Sequence, residues 1–390
     1  MKAKWIIESP AENDQVPVTR RLTIKRLIWI THERETDGQS HISRIAKYLI
    51  AVGFVIALGS SAGCGHRTTT LADESNASLS SEGFRMRPLT DRTFERTPIR
   101  LERGRYLVEG VLHCSYCHAQ RDWDARGAPA IADNKGGGCI LIDEPGHRRV
   151  APNISPDTET GAGTWTDDMF ARAIREGIGH DGRALFGMPW RTFRNLSDED
   201  LASVISYIRS IPPVSNVLPK RILSEEEEKR LDPQPLTEPV LQPDLSTPIK
   251  RGQYLVSVGD CRFCHTPRQN NRAIPGLEFS GGFVLKSRLG EVASANVTPH
   301  PSGISYYDEA LFLEVIRTGK VKARELNPTM PWGFFRNIAD EDLRSIFAYL
   351  QTLKPVSHRV DNTEPPTSCK LCGQRHGFGD RNEQRAEDNP

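Results

Sequence analysis

The sequence C-S-Y-C-H at residues 114–118 recurs as C-R-F-C-H at residues 261–265. Both segments belong to a longer internal repeat, a pattern that sets the domain organisation of a chain. Five further pairs of segments match in the same order: 103–108 with 251–256, 153–156 with 296–299, 170–177 with 312–319, 188–190 with 330–332, and 193–201 with 335–343. The 390 residues therefore contain two copies of one domain.

Each C-x-x-C-H motif provides the residues for covalent attachment of haem. Two cysteines three positions apart on a helical turn present their sulfurs on one side, where they can add to the two vinyl groups. The following histidine then reaches the iron from one face. The motifs predict two covalently bound haem c groups, on Cys114, Cys117 and His118 in the first copy and on Cys261, Cys264 and His265 in the second.

Two other kinds of site use paired cysteines. A thioredoxin-like redox pair is expected beside a βαβ pattern, which this sequence lacks. A zinc site needs a second pair of ligands at suitable spacing within each copy. The adjacent histidine in both copies favours haem.

Two methionines are the candidate ligands for the other face of each iron. Met1 and Met86 precede both copies, and Met169 has no methionine counterpart in the second copy. Met188 and Met330 remain, each directly before Pro-Trp and ahead of the last helix of its copy. A methionine that only fills the core is the alternative. Because His/Met ligation closes the iron and raises its potential, we expect an electron carrier rather than an enzyme.

The hydrophobic pattern predicts helices in both copies. Residues 167–175 and 308–317 have apolar residues at helical spacing, and Gly177 and Gly319 lie at the C-cap positions. No segment shows convincing strand alternation. The predicted fold class is therefore all-α.

The two copies resemble class I cytochrome c domains, and they are similar to the cytochrome subunits of membrane-bound alcohol and gluconate dehydrogenases. The resemblance covers residues 100–360 and rests on R-G-x-Y-L-V, C-x-x-C-H, N-[IV]-[ST]-P, W-T-D-D at 165–168, M-P-W and D-E-D-L. Members of that family usually hold three haems, whereas this chain has two attachment motifs. The resemblance implies electron transfer from a periplasmic dehydrogenase towards a respiratory oxidase or another cytochrome.

The same resemblance assigns roles to two prolines and two tryptophans. Pro129 and Pro275 resemble family prolines whose carbonyls orient the ligating histidine, with turn formation as the alternative. Trp190 and Trp332 are expected to pack against haem or to bond a propionate, or else to pack in the core.

The repeat and the composition divide the chain into six parts. They are 1–66, an extension with an export signal or anchor; 67–97, a flexible tether; 98–215, domain 1; 216–246, a Pro-rich linker; 247–360, domain 2; and 361–390, a polar tail.

The N-terminal part resembles a bacterial export signal. The apolar run at residues 48–58 follows Arg44 and Lys47 and precedes several small residues. Residues 61–64 resemble a lipoprotein box in which Cys64 would be acylated, and ordinary signal cleavage is the alternative. We expect the protein on the periplasmic side of a membrane, anchored by lipid or by an uncleaved signal, or released into the periplasm.

Three cysteines lie outside the haem motifs and Cys64. Cys369 and Cys372 lack the following histidine, and in an oxidising compartment a local disulfide is the favoured interpretation. A zinc site with His376 is the minor alternative. Cys139 corresponds to Phe283 in the second copy and is expected to be a buried apolar residue.

Composition excludes one class of function, and two others stay as alternatives. The net charge is +1 and the basic residues are scattered, so a nucleic-acid surface is not expected. A di-haem peroxidase also carries two C-x-x-C-H domains, but it needs an open iron position. A haem-based gas sensor is the third hypothesis.

Overall fold

The structure is a computed structural model and describes residues 86–383. The predicted export signal at residues 48–58 and the lipidation candidate Cys64 lie outside these residues. Within residues 86–383, none of the helices combines the length and the apolar character that crossing a bilayer requires.

The helices follow the repeat that the sequence predicts. The described α-helices are α1 (Pro98–Tyr106), α2 (Asp167–Glu176), α3 (Trp190–Phe193), α4 (Asp198–Ile208), α5 (Glu225–Glu228), α6 (Pro248–Val258), α7 (Cys261–Cys264), α8 (Glu309–Thr318), α9 (Trp332–Phe335) and α10 (Asp340–Leu350). Helix α1 continues into a π-helical turn at Leu107–Val111, and short 3₁₀ turns lie at Cys114–Tyr116, Ala132–Asn134 and Gly379–Arg381.

The prediction of an all-α fold is wrong. Four two-stranded antiparallel sheets lie between the described α-helices, and a fifth follows the last of them. Their strands are β1 (Cys139–Glu144), β2 (His147–Ala151), β3 (Arg268–Gln269), β4 (Arg272–Ala273), β5 (Val284–Ser287), β6 (Gly290–Ala293), β7 (Lys320–Val321), β8 (Arg324–Glu325), β9 (Pro366–Ser368) and β10 (Arg375–Gly377). Strands of two to six residues are too short to show alternation, and a bulge between Ile140 and Ile142 interrupts the longest one.

A close crossing of the first and last long helices forms the frame of each domain. In domain 1, a Cβ atom on Gly104 of α1 would lie 2.0 Å from the carbonyl oxygen of Ser203 in α4. In domain 2, a Cβ atom on Gly252 of α6 would lie 1.9 Å from the carbonyl oxygen of Ser345 in α10. The glycine of the repeated R-G-x-Y-L-V segment is therefore required by packing.

The two domains share one hydrophobic core. Buried side chains of both domains, such as Leu107, Leu201, Leu255 and Leu343, belong to one continuous cluster. Two equivalent hydrogen bonds join the domains in opposite directions. Tyr106 of domain 1 donates to the Asp342 carboxylate, and Tyr254 of domain 2 donates to the Asp200 carboxylate over 2.7 Å.

The segments outside the two repeats also pack on the domains. In the part of the predicted tether that the structure describes, Arg87 forms an ion pair of 2.7 Å with buried Asp168 and one of 2.6 Å with Glu176, so residues 86–97 are docked. In the linker, Glu227 of α5 is buried and bonds Arg149 of β2 over 2.7 Å. The glutamates of α5 are therefore not all exposed to solvent, since Glu227 is buried.

The predicted C-terminal tail is folded as far as the structure describes it. Strands β9 and β10 pair as a hairpin, and Cys369 and Cys372 lie in the connection between them. Both cysteines are buried, and the structure has no disulfide between them, in contrast to the prediction.

The helix crossing can be tested by substituting Gly104. We expect Gly104→Ala to lower the free energy of unfolding by about 1–3 kcal/mol or more, because the new methyl group overlaps the Ser203 carbonyl. Chemical denaturation of the haem-loaded protein measures this change.

Gly110→Ala is the matched control. Gly110 lies in the π-helical turn that continues α1, and its nearest neighbours lie at an ordinary contact distance of 3.6 Å. Its replacement should be neutral or raise stability by about 0.4–1 kcal/mol. Equal effects of the two substitutions would contradict the packing role of Gly104.

Candidate haem sites

The predicted haem residues of domain 1 line one cavity. Cys114, Cys117, His118 and Met188 all contribute to a space of about 750 Å³. This volume lies within the usual range for cofactor sites, about 300–1,000 Å³. Residues far apart along the chain are therefore brought to one cavity, since the attachment motif follows α1 and Met188 precedes α3.

The local backbone places the attachment motif directly after the first helix. His113 adopts a left-handed conformation, with φ of 41°, and ends the helical run before the 3₁₀ turn at Cys114–Tyr116. The His118 N–H then donates to the Cys114 carbonyl over 2.9 Å. In domain 2, Asp260 adopts the same left-handed conformation, with φ of 60°, directly before α7.

Each candidate ligand histidine is oriented by a backbone carbonyl. His118 Nδ1 lies 2.8 Å from the Pro152 carbonyl oxygen, and His265 Nδ1 lies 2.7 Å from the Ala295 carbonyl oxygen. Because a carbonyl only accepts, Nδ1 carries the proton and Nε2 keeps its lone pair for a metal. The residues present therefore fit a haem iron in both domains.

The expectation that Pro129 and Pro275 orient these histidines is wrong. The Pro129 carbonyl instead accepts the backbone N–H of Asp122 over 2.9 Å. Pro152 and Ala295 occupy equivalent places, each directly before the repeated N-[IV]-[ST]-P segment. The position directly before the repeated segment could have identified these two residues. Their side chains could not, because any residue supplies a backbone carbonyl.

The asparagine of N-[IV]-[ST]-P holds the carbonyl-bearing loop in place. Asn153 donates to the Val214 carbonyl over 2.7 Å and accepts the Ser155 N–H over 3.0 Å. Asn296 repeats both contacts, donating to the Val356 carbonyl over 2.9 Å and accepting the Thr298 N–H over 2.9 Å. The segment after the last helix is thereby tied to the loop that orients the histidine.

Burial sets the protonation of the attachment residues. It raises the pKa of the Cys114, Cys117, Cys261 and Cys264 thiols to about 12. Burial also lowers the pKa values of His118 and His265. At neutral pH the imidazoles are uncharged, as a metal ligand requires, and the thiols are protonated.

The two tryptophans of the repeat pack on helix ends, and Cys139 contacts the first attachment motif. Trp190 packs on the C-cap Gly177 of α2, and Trp332 packs on the C-cap Gly319 of α8; both glycines have positive φ and a Cβ on either would overlap the indole. Cys139 is half-buried rather than fully buried, and its thiol donates to the Cys117 carbonyl over 3.1 Å. It therefore lies beside the first attachment motif.

The two candidate sites meet at the interface between the domains. The His113 ring, directly before the first motif, lies 5.0 Å from the Phe335 ring of α9. Asp260, directly before the second motif, accepts a hydrogen bond of 2.5 Å from Thr192 of α3. Each motif is therefore held by the short helix that follows the candidate methionine of the other domain.

Comparison with known proteins identifies the first repeat. Residues 101–212 match the family model described as cytochrome c. This match confirms the resemblance to cytochrome c domains, and a cytochrome c domain implies covalently bound haem c.

Several characterised proteins are similar to this chain. A subunit of the nicotinate dehydrogenase of Pseudomonas putida is 32% identical over 270 residues, which cover 65% of this chain and 21% of that protein. The cytochrome c subunit of alcohol dehydrogenase (quinone) from Gluconobacter oxydans is 35% identical over 126 residues, 32% of this chain and 25% of that protein. A diheme cytochrome c-type protein of Cereibacter sphaeroides is 26% identical over 256 residues, 62% of this chain and 82% of that protein. The chain thus spans about a quarter or less of the first two relatives.

Asp260 gives a pH dependence to this interface. Burial raises the pKa of its carboxyl from 3.8 to about 6. The folded protein therefore binds the proton of the Asp260 carboxyl more tightly than the unfolded chain does. The protonated carboxyl stabilises the fold below about pH 4, and this stabilisation is lost as the pH rises through about 6. We expect Asp260→Asn to remove this loss and to raise the free energy of unfolding at pH 7 by about 1–3 kcal/mol.

The measurement is chemical denaturation of wild type and Asp260→Asn between pH 4 and pH 7. Asp91→Asn removes an exposed carboxyl and is the control. The assignment fails if the stability difference between wild type and Asp260→Asn does not change with pH.

Proposed function

We propose that this protein is an exported di-haem c-type cytochrome that carries single electrons between redox partners and is not itself an enzyme. The supporting observation is the pairing of the two sites. Each domain has C-x-x-C-H, a histidine whose Nδ1 is bonded to a carbonyl, and a methionine at the equivalent place before Pro-Trp.

The residues of the chain account for the chemistry of a carrier. Haem c, when bound, supplies a one-electron iron couple. His118 and Met188 are the proposed ligands in domain 1, and His265 and Met330 are those in domain 2. With a neutral imidazole and a thioether as its two protein ligands, the iron would have no position left for a substrate, and the thioether would favour the reduced state.

The interface supports transfer of electrons between the two sites. One continuous core joins the domains, and Tyr116 of the first motif donates to the carbonyl of Thr329, directly before Met330, over 3.2 Å. Because this packing holds the candidate ligand residues in place, they would move little when a haem gains or loses an electron. The proposed path therefore runs within one chain from one haem to the other.

The proposed partners are a periplasmic dehydrogenase as donor and a respiratory oxidase or another cytochrome as acceptor. The support is the similarity to proteins named as dehydrogenase subunits. The proposed location is the periplasmic side of a bacterial membrane, with an N-terminal signal or a lipid on Cys64 as the anchor. Neither anchor falls within the residues that the structure describes.

Haem attachment can be counted directly. We expect intact-mass analysis of protein expressed with a haem-maturation system to show two haem adducts. The double substitution Cys114→Ala/Cys117→Ala and its counterpart Cys261→Ala/Cys264→Ala should each leave one. A single adduct on wild type would remove the second site from the proposal.

The methionine ligands can be tested one domain at a time. We expect Met188→Ala and Met330→Ala each to abolish about half of the sulfur-to-iron charge-transfer absorption in the far red. Each should also lower the potential of one haem by on the order of 0.1 V or more, within the roughly 0.8 V range that axial ligands span. A redox titration followed by absorbance measures both effects.

Met169→Ala is the matched control, because Met169 lies in α2 with its sulfur near the backbone N–H of Thr166. Its spectrum and potentials should match wild type. Carbon monoxide should bind each reduced ligand variant but not reduced wild type. Binding to wild type would favour the gas-sensor or peroxidase hypothesis.

A further inference from the structure

Four potential metal ligands meet beneath the C-terminal hairpin of domain 2. His358, Cys369, Cys372 and His376 are all buried, with between 0% and 4% of each residue exposed. One ligand atom from each residue lies within 4.8 Å of the other three. None of the four belongs to either candidate haem site.

The distances within the cluster are those of a tetrahedral centre. The two histidine Nε2 atoms are 3.2 Å apart. Cys369 Sγ lies 3.5 Å from His358 Nε2, and Cys372 Sγ lies 3.5 Å from His376 Nε2. Tetrahedral Zn²⁺ with ordinary Zn–N and Zn–S bonds places two nitrogens about 3.3 Å apart and a nitrogen and a sulfur about 3.5 Å apart.

The protons of the two histidines are placed on the nitrogens away from the cluster. His358 Nδ1 lies 3.1 Å from the Ser280 carbonyl oxygen, and His376 Nδ1 lies 3.0 Å from the Gly377 carbonyl oxygen. Carbonyls only accept, so both Nδ1 atoms are donors and both Nε2 atoms carry lone pairs. Two neutral imidazoles that face each other with lone pairs at 3.2 Å repel, and either a metal cation between them or a proton on one ring removes this repulsion.

The backbone around the cysteines is arranged as a tight loop between β9 and β10. The Cys369 N–H donates to the Gln374 carbonyl over 2.8 Å, and the Gly373 N–H donates to the Cys369 carbonyl over 2.9 Å. Gly373 has a φ of 70°, which closes the turn after the second cysteine. The C-x₂-C spacing is typical of structural zinc sites.

The hairpin has little apolar packing of its own. The only other buried members of its hydrophobic cluster, within the described residues, are Leu277 and Val356. A small module of this kind needs an additional source of stability, which a structural metal supplies. Two thiolates and Zn²⁺ give a centre without net charge, so its burial is not opposed by an unpaired ion.

We propose that His358, Cys369, Cys372 and His376 bind one structural Zn²⁺ ion that fixes the C-terminal hairpin to domain 2. Cys₂His₂ is a donor set that Zn²⁺ prefers over hard cations such as Mg²⁺ or Ca²⁺. The proposal does not depend on the proposed electron transfer.

Domain 1 provides an internal comparison. Asn216 stands at the place equivalent to His358, two residues after the repeated P-V, and donates to the Gly137 carbonyl over 2.7 Å. An asparagine can therefore make the loop contact that His358 Nδ1 makes, but it leaves no Nε2 for a metal. His358→Asn thus removes a ligand with little change to the loop.

The experiment uses the full-length, haem-loaded protein purified without chelators. Elemental analysis should find one zinc per chain, with the haem iron as internal reference. X-ray absorption at the zinc edge should give two sulfurs at about 2.3 Å and two nitrogens at about 2.0–2.1 Å. Both measurements use the wild-type protein, so their result does not depend on whether any variant folds.

Variants then assign the ligands. We expect Cys369→Ser/Cys372→Ser and His376→Ala to lose zinc. Loss of a residue that only hydrogen-bonds a metal ligand weakens metal binding roughly 10–100-fold. His358→Asn removes a ligand itself, so it should weaken zinc binding by more than this. Cys139→Ser removes a thiol outside the cluster and should keep the zinc.

Three results would overturn the proposal. The first is wild type that stays free of zinc after addition of Zn²⁺ under reducing conditions. The second is undiminished zinc in the double cysteine variant. The third is a Cys369–Cys372 disulfide in peptide maps of freshly purified wild type.

Discussion

The close crossing of the first and last long helices is the constraint on which each domain depends. Gly104 and Gly252 allow the two helix backbones to approach without an intervening side chain. The attachment motif leaves the end of the first helix, and the candidate methionine precedes the last one. The crossing therefore positions the candidate histidine and the candidate methionine of each domain relative to one another.

Sequence reasoning identified the candidate haem-binding side chains but missed the backbone carbonyls that orient the two histidines. The repeat, C-x-x-C-H, Met188 and Met330 are visible because reactive side chains at fixed spacing leave a direct signal. The carbonyls of Pro152 and Ala295 leave none, since any residue supplies a carbonyl. The fold class was misjudged for a related reason: short hairpins are set by turns and not by period-two alternation.

The sequence indicates zinc binding by Cys369, Cys372 and His376 only as a minor alternative, because the fourth residue of the cluster, His358, lies in a separately assigned part of the chain. Cys369, Cys372 and His376 are close in sequence, whereas His358 was assigned to domain 2 and precedes the tail. Only the fold brings its Nε2 to the cysteines. The same histidine bonds the Ser280 carbonyl, and the next N–H, that of Gly281, donates to the His265 carbonyl over 2.8 Å. The hairpin is thus two contacts away from the second candidate haem ligand.

The reciprocal tyrosine–aspartate bonds give the domain interface a self-complementary character. Tyr106 and Tyr254 are equivalent, as are Asp200 and Asp342, so one surface patch is used twice. This is the arrangement of a two-fold homodimer. Joining both copies in one polypeptide makes their association unimolecular, at an effective concentration set by the linker rather than by dilution. The two candidate haem sites then stay together at any protein concentration.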